Sequence, residues 1–83
     1  MTETRRLTVK FFALLREQAG CRELTVDTPA LTPVALYAEL MQSRGLKVPP
    51  TILTFAVNGR YVSADTPLAT GDQVVFIPLV AGG

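Results

Sequence analysis

Histidine is absent from this chain, cysteine occurs once, and no apolar run approaches the length of a membrane span. Without histidine the usual general base and the commonest zinc ligand are both missing, so zinc centres and histidine-based catalytic triads are excluded and no metal site is expected. The single Cys21 permits no disulfide within the chain, and its surroundings assign it no role. The longest nearly apolar stretch, Val74 to Ala81, is interrupted by Pro78 and is far too short to cross a bilayer. The start, Met1-Thr2-Glu3-Thr4-Arg5-Arg6, lacks the apolar segment of a signal peptide, so a cytoplasmic location is expected. Charge of one sign is lacking too. The net charge is +1, with acids and bases interspersed, which gives no electrostatic footprint for nucleic acid or for an anionic membrane. There is also no phosphate loop of the Gly-x4-Gly-Lys kind, so no nucleotide cofactor is expected on this chain.

What is present is apolar. Hydrophobic residues make up 48% of an 83-residue chain, which is long enough for one domain and for little more. A domain of that size buries only about 60% of its unfolded surface and leaves scant core for an internal reaction chamber. Any chemistry should be shared with a partner, and exposed apolar surface should mark where that partner docks.

The elements follow from local signals. Leu7, Val9 and Phe11 alternate with Thr8, Lys10 and Phe12, the period of a half-buried strand. Ala13 to Gln18 are good helix formers ending at Ala19-Gly20, which predicts a short helix with glycine past its C-terminus. Arg22 to Val26 alternate again and should pair antiparallel with the first strand, with Asp27-Thr28-Pro29 closing them. Thr32-Pro33 is an N-cap followed by proline at the first helical position, and the helix should run to about Ser43 before Arg44-Gly45 stops it. Leu36, Tyr37, Leu40 and Met41 share one side of it, with Val34 at the edge and Glu39 and Gln42 facing away. At such spacing Tyr37 and Met41 read as core. Ile52 to Val57 form a strand, Asn58-Gly59 is the strongest two-residue hairpin signal, and Arg60 to Val62 return. Turns at Asp65 to Leu68 and Thr70 to Asp72 precede a last strand, Gln73 to Ile77. The order predicts an α+β domain of the ubiquitin-like β-grasp type. About five strands form a mixed sheet on one main helix, with the last strand central beside the first.

The single domain, 1–83, should divide into a folded body, 7–77, and an extended, flexible functional tail, 78–83. Pro78 removes a donor and fixes φ, so the strand should stop at Ile77 and Pro78, Leu79, Val80, Ala81, Gly82 and Gly83 should leave the body. Six residues at about 3.3 Å each reach on the order of 20 Å, enough to insert a terminal carboxylate into another protein. Glycines without Cβ atoms would let that carboxylate enter a narrow channel and leave its carbon open to attack. The plainer alternative is a frayed end, expected by chance in roughly 0.5% of chains for two glycines.

Val9-Lys10-Phe11-Phe12-Ala13-Leu14-Leu15-Arg16-Glu17 with Gly20, Ala56-Val57-Asn58-Gly59, Thr66-Pro67-Leu68, Gly71-Asp72, Val74, Phe76-Ile77-Pro78 and Gly82-Gly83 together resemble the MoaD-type sulfur carriers, the small subunits of molybdopterin synthase. The resemblance spans essentially the whole chain. Its Gly-Gly end and Gly-Asp turn are shared with the thiamine sulfur carrier and ubiquitin-related modifiers, whereas Phe-Phe-Ala-x-x-Arg-Glu is more specific. Leu79 departs from the family, where a second proline is common. Arg16 and Glu17 also read as a plain solvated helix face.

The resemblance implies that Gly83 is the reacting residue, adenylated by an ATP-dependent adenylyltransferase and converted by a sulfur donor protein to a thiocarboxylate. It implies insertion of that tail into the large catalytic subunit, in a heterotetramer, where sulfur passes to a cyclic pterin monophosphate in molybdenum cofactor synthesis. The chain would then be no enzyme on its own, and ATP would belong to the activating partner. Carriers for thiamine or tRNA thiolation, a modifier conjugated to lysines, and a plain binding module remain as alternatives. Strand alternation adds a docking surface: if Leu7, Val9, Phe11, Val57, Val62, Val74 and Phe76 face the helix, Phe12, Tyr61, Val75 and Ile77 point outward at the root of the tail. Scattered exposed side chains without a role are the alternative there.

Overall fold

The alternation read from the first strand sets the sheet. In the computed structural model, which describes residues 3–12 and 14–79, β1 (Arg5–Phe11) buries Leu7, Val9 and Phe11 and turns Thr8 and Lys10 to the other face. It pairs antiparallel with β2 (Glu23–Thr28), Leu7 opposite Val26 and Val9 opposite Leu24. The exposed Arg6 guanidinium grips Asp27 across this pair at 3.0 and 3.2 Å, and those hydrogen bonds hold the carboxyl below its ordinary range. β2 begins one residue later than Arg22 and runs through Thr28, beyond the expected stop. Thr28 earns no local strand signal, but it is fully buried, and its hydroxyl donates to Glu39 Oε2 at 2.7 Å and accepts from the Ala30 amide at 3.0 Å. Glu39 therefore reaches toward β2 even though its residue is exposed, a tie that helical periodicity does not reveal.

Helix α1 (Leu14–Ala19) ends as expected at Gly20, whose φ of 78° is left-handed and whose amide donates to Arg16 at 3.0 Å. The main helix, α2 (Pro33–Arg44), is capped by Thr32, which accepts from the Ala35 amide at 3.3 Å. It stops at Gly45, in the left-handed region. Leu36, Tyr37 and Leu40 are buried and Met41 packs against them partly covered. The Tyr37 hydroxyl donates to the Val48 carbonyl at 2.6 Å, and burial keeps its pKa above the ordinary value. Removing that hydroxyl leaves a buried carbonyl without its donor. Tyr37→Phe is expected to cost about 1–2 kcal/mol and, in a domain this small, to lower the melting temperature by roughly 4–8 °C per kcal/mol.

A strand expected from Ile52 starts at Leu53 instead. Pro50–Ile52 form a 3-10 turn closed by the Ile52 amide on the Pro49 carbonyl at 3.1 Å, because Pro49-Pro50 fix φ in a range that suits a tight turn. β3 (Leu53–Val57) then reverses through Asn58-Gly59, both at positive φ as a type I′ turn requires, into β4 (Arg60–Val62). The Asn58 amide group bonds Asp72 and accepts from the Gln73 amide, each at 2.9 Å, which fixes the hairpin to the start of the last strand.

That strand, β5 (Gln73–Pro78), lies parallel to β1 and antiparallel to β3, giving the order β2-β1-β5-β3-β4 with α2 packed on one face. This is the β-grasp arrangement that the element order predicts. Phe76, completely buried, stands at its centre with ring centroids 5.0 Å from Tyr37, 5.7 Å from Phe55 and 6.3 Å from Phe11.

The strand expected to stop at Ile77 runs one residue further and takes in Pro78. Pro78 pairs with Leu53, and the Leu79 amide still donates to the Ile52 carbonyl at 2.7 Å. Parity explains the tolerance. Odd-numbered residues of β5 bond toward β3, so the missing donor of Pro78 points to the β1 side, where β1 has already ended at Phe11 level with Phe76.

Candidate functional site

The face of the sheet opposite α2 has no covering element among the described residues. One row across it reads Glu23, Lys10, Val75, Ala56 and Tyr61, each in register with the next on successive strands. The neighbouring row carries Ile77 opposite Thr54, and Phe12 follows β1 directly, level with Ile77 in the parallel register. Of the four residues predicted to point outward, Tyr61 is 76% exposed and Phe12 46%, while Val75 and Ile77 are half-buried because their strand is central. The structure thus brings Phe12, Val75 and Ile77 to one region and sets Tyr61 two strands from Val75, with Ala56 between them.

Ala56, Ile52 and Leu79 complete this apolar surface, and the sequence reading left the first two out. Ala56 is only 8% exposed although it lies on the open face, flanked by larger side chains. Strand parity alone would have found it. Ile52 and Leu79, 42% and 60% exposed, meet through the backbone hydrogen bond between the Leu79 amide and the Ile52 carbonyl, just beyond the end of the β3–β5 ladder. Ile52 was obscured by its assignment to a strand rather than to a turn. The exposed apolar side chains of this region therefore extend to Leu79, the last described residue of the chain. Pro78 is the last residue of β5 and Leu79 follows it, held by its amide on the Ile52 carbonyl, while Val80, Ala81, Gly82 and Gly83 lie outside the described residues.

Val62, expected to face the helix, is partly covered and packs against the core, as do the six fully inward positions Leu7, Val9, Phe11, Val57, Val74 and Phe76. Beside Phe12 the surface dips into a cleft of about 400 Å³ lined by Lys10, Phe11, Phe12, Arg16, Arg22 and Glu23. Lys10 stands 3.9 Å from Glu23, with both side chains about half exposed. Among the described residues no group of three or more histidine, cysteine, aspartate or glutamate side chains is placed to hold a metal, and no helix is long and apolar enough to cross a membrane. An apolar sheet face ending at a chain terminus can bind a partner and present that terminus to it.

Known proteins agree with this geometry. The molybdopterin synthase sulfur carrier subunit of Escherichia coli (strain K12) is 37% identical over 78 residues, covering 90% of this chain and 96% of that protein. In a solved complex of subunits 1 and 2 of the molybdopterin-converting factor from Helicobacter pylori, one chain superposes with a TM-score of 0.64 at 26% identity, covering 94% of this chain and 99% of that one. Small archaeal modifier protein 1 of Methanosarcina acetivorans has the same fold, with a TM-score of 0.76 at 22% identity over 96% of this chain and 98% of that one. The ThiS family matches residues 9–83, from the middle of β1 through the glycine pair, and with the Escherichia coli relative this makes the chain a member of the ThiS family.

Proposed function

We propose that this protein is a cytoplasmic sulfur carrier, the small subunit of a molybdopterin synthase, and that the carboxylate of Gly83 is its reacting group. The observation that carries the reading is the family match running through Gly83, combined with an apolar sheet face that leads up to the tail. A carboxylate resists nucleophiles because its oxygen is a poor leaving group. Joined to AMP by a partner that consumes ATP and releases pyrophosphate, it becomes an acyl adenylate. A persulfide of the sulfur donor protein then attacks the acyl carbon and expels AMP. A thiol cleaves the resulting acyl disulfide, ending as a disulfide with the donor and leaving a thiocarboxylate, which is delivered to a cyclic pterin monophosphate in the large subunit. This chain supplies the group, the reach and the docking face, while the partners supply nucleotide binding and catalysis. The subunit 1 and 2 complex from Helicobacter pylori supports a large-subunit partner.

Incubation with purified activating enzyme, ATP and sulfur donor, followed by intact-mass measurement, tests the reading. Exchange of one terminal oxygen for sulfur, lost again on addition of large subunit and pterin, is expected. Adducts on lysines of other proteins would instead assign a modifier, and an unchanged mass would leave only a binding module.

The docking face is tested separately. Phe12→Ala and Ile77→Ala each remove an apolar side chain from its centre, where anchors contribute about 2 kcal/mol or more, so association with the large subunit should weaken more than tenfold. Melting temperatures should fall less, because Phe12 is nearly half exposed and Ile77 half-buried. Parental binding with sharply lowered melting would move the interface to another surface.

A further inference from the structure

The charge of this chain is not spread evenly. The cleft beside Phe12 gathers three of the eight cations, Lys10, Arg16 and Arg22, against one of the seven acids, Glu23. The rest of the chain keeps five cations against six acids and is slightly negative, so the cationic excess of the whole protein resides in this one depression. Lys10 comes from β1, Arg16 from α1, Glu23 from the first position of β2, and Arg22 from the residue just before it. Among the described residues, Arg16 and Arg22 have no carboxylate within ion-pairing distance, and Lys10 has only Glu23 at 3.9 Å. The cleft is also continuous with the apolar face. Phe12 lines it, and Lys10 occupies the same cross-strand row as Val75, Ala56 and Tyr61.

We infer that this cleft receives an acidic segment of the protein that docks on the apolar face, an inference that rests on the carrier reading above. A partner seated over Val75 and Ile77 would extend across Lys10 to Arg22. There its carboxylates would displace Glu23 from Lys10 and meet the two unpaired guanidiniums, which are suited to bidentate contacts with carboxylates. Charge at the margin of an apolar interface chiefly sets the rate of encounter and the orientation of docking. The cleft would therefore bring the partner onto the face in the one register that points it toward the tail. Glu23 has a distinct part in this. It occupies the site in the free protein as a weak internal competitor.

The test is a binding titration against purified large subunit and purified activating enzyme, at low and high salt, with the full-length chain. Arg22→Glu is expected to weaken association with at least one of them by roughly five- to tenfold at low salt, and by much less at high salt where the Debye length shrinks to ~3 Å. Arg44→Glu, on the exposed end of α2, the helix packed on the other face of the sheet, makes the same change in net charge and is expected to leave binding as it was. Glu23→Gln should tighten binding, which loss of a purely structural residue would not do. If Phe12→Ala weakens binding but Arg22→Glu and Glu23→Gln do not, the cleft inference fails while the docking face stands. If none of the three alters binding, both fail. If inorganic phosphate alone, titrated into the free protein, shifts the Arg16 and Arg22 side-chain resonances at low millimolar concentration and Arg22→Glu leaves partner binding intact, the cleft is a free-anion site and the inference is overturned.

Discussion

Deleting Gly83 is expected to lower sulfur transfer by more than a hundredfold while leaving the melting temperature within error of the parent. The shortened chain still ends in glycine, so its carboxylate keeps the same chemistry and the same absence of a side chain. What changes is position: the reacting carbon is drawn back by about 3.3 Å. Reaction requires partners held about 3–3.5 Å apart in the right orientation, and a misplacement of 1 Å can cost 10²-fold. The tail cannot make up the difference by sliding outward. Its root is fixed by Phe76 in the core, by the Pro78 to Leu53 pairing and by the Leu79 to Ile52 hydrogen bond. This anchoring also shortens the effective tether, since four residues follow Leu79 and a chain of four can span at most about 13 Å rather than the ~20 Å of six. Single-turnover transfer with purified activating enzyme and large subunit is the measurement. Activity close to that of the parent would show that Gly83 is not the reacting residue.

Phe76→Ala is expected to abolish cooperative unfolding near physiological temperature. Emptying a phenylalanine site in a packed core costs about 3–5 kcal/mol, and the near-perpendicular contacts with Tyr37 and Phe55 contribute roughly 0.5–1.5 kcal/mol each beyond their buried area. A small domain has on the order of 5 kcal/mol of stability to lose. Phe76 touches rings from β1, β3 and α2, so its removal loosens every layer at once. Circular dichroism melts of Phe76→Ala and Ile77→Ala make the comparison within one strand, where adjacent side chains face opposite sides. A larger loss for Ile77→Ala would mean that the inward and outward faces have been exchanged.

The parts of this fold that could be read in the sequence are those specified by neighbours in the chain. Thr32-Pro33 and Gly45 bound α2 because caps satisfy the helix's own terminal groups, and Asn58-Gly59 specifies its turn through φ alone. Strand parity placed Phe12, Tyr61, Val75 and Ile77 on the open side for the same local reason. The features that escaped depend on residues far along the chain. Pro78 is tolerated because β1 stops at Phe11, more than sixty positions earlier, and no local rule for proline includes that fact. Thr28 remains in β2 because Glu39 on α2 receives its hydroxyl. Ile52 looked like the first residue of a strand since a 3-10 turn and an extended start can share the same apolar residues. The cleft was hidden for the same kind of reason: Lys10, Arg16 and Arg22 have no shared signal until β1, α1 and the turn before β2 bring them together.

The central position of β5 has a consequence for how the protein is made. In the order of synthesis the ribosome first releases β1 with β2, and later β3 with β4, and these two antiparallel pairs share no strand. Each is a two-stranded ribbon, marginal by itself in water. They become one sheet only when β5 enters between β1 and β3, a closure across most of the chain that is intrinsically slow because distant segments must meet before any contact rewards them. An interrupted translation product that lacks β5 thus has no united sheet, and neither Val75 nor Ile77 to bind with. Unfinished chains would then not compete for the partners of finished ones, and the cell would need no separate inspection step to keep truncated carriers out of the complex.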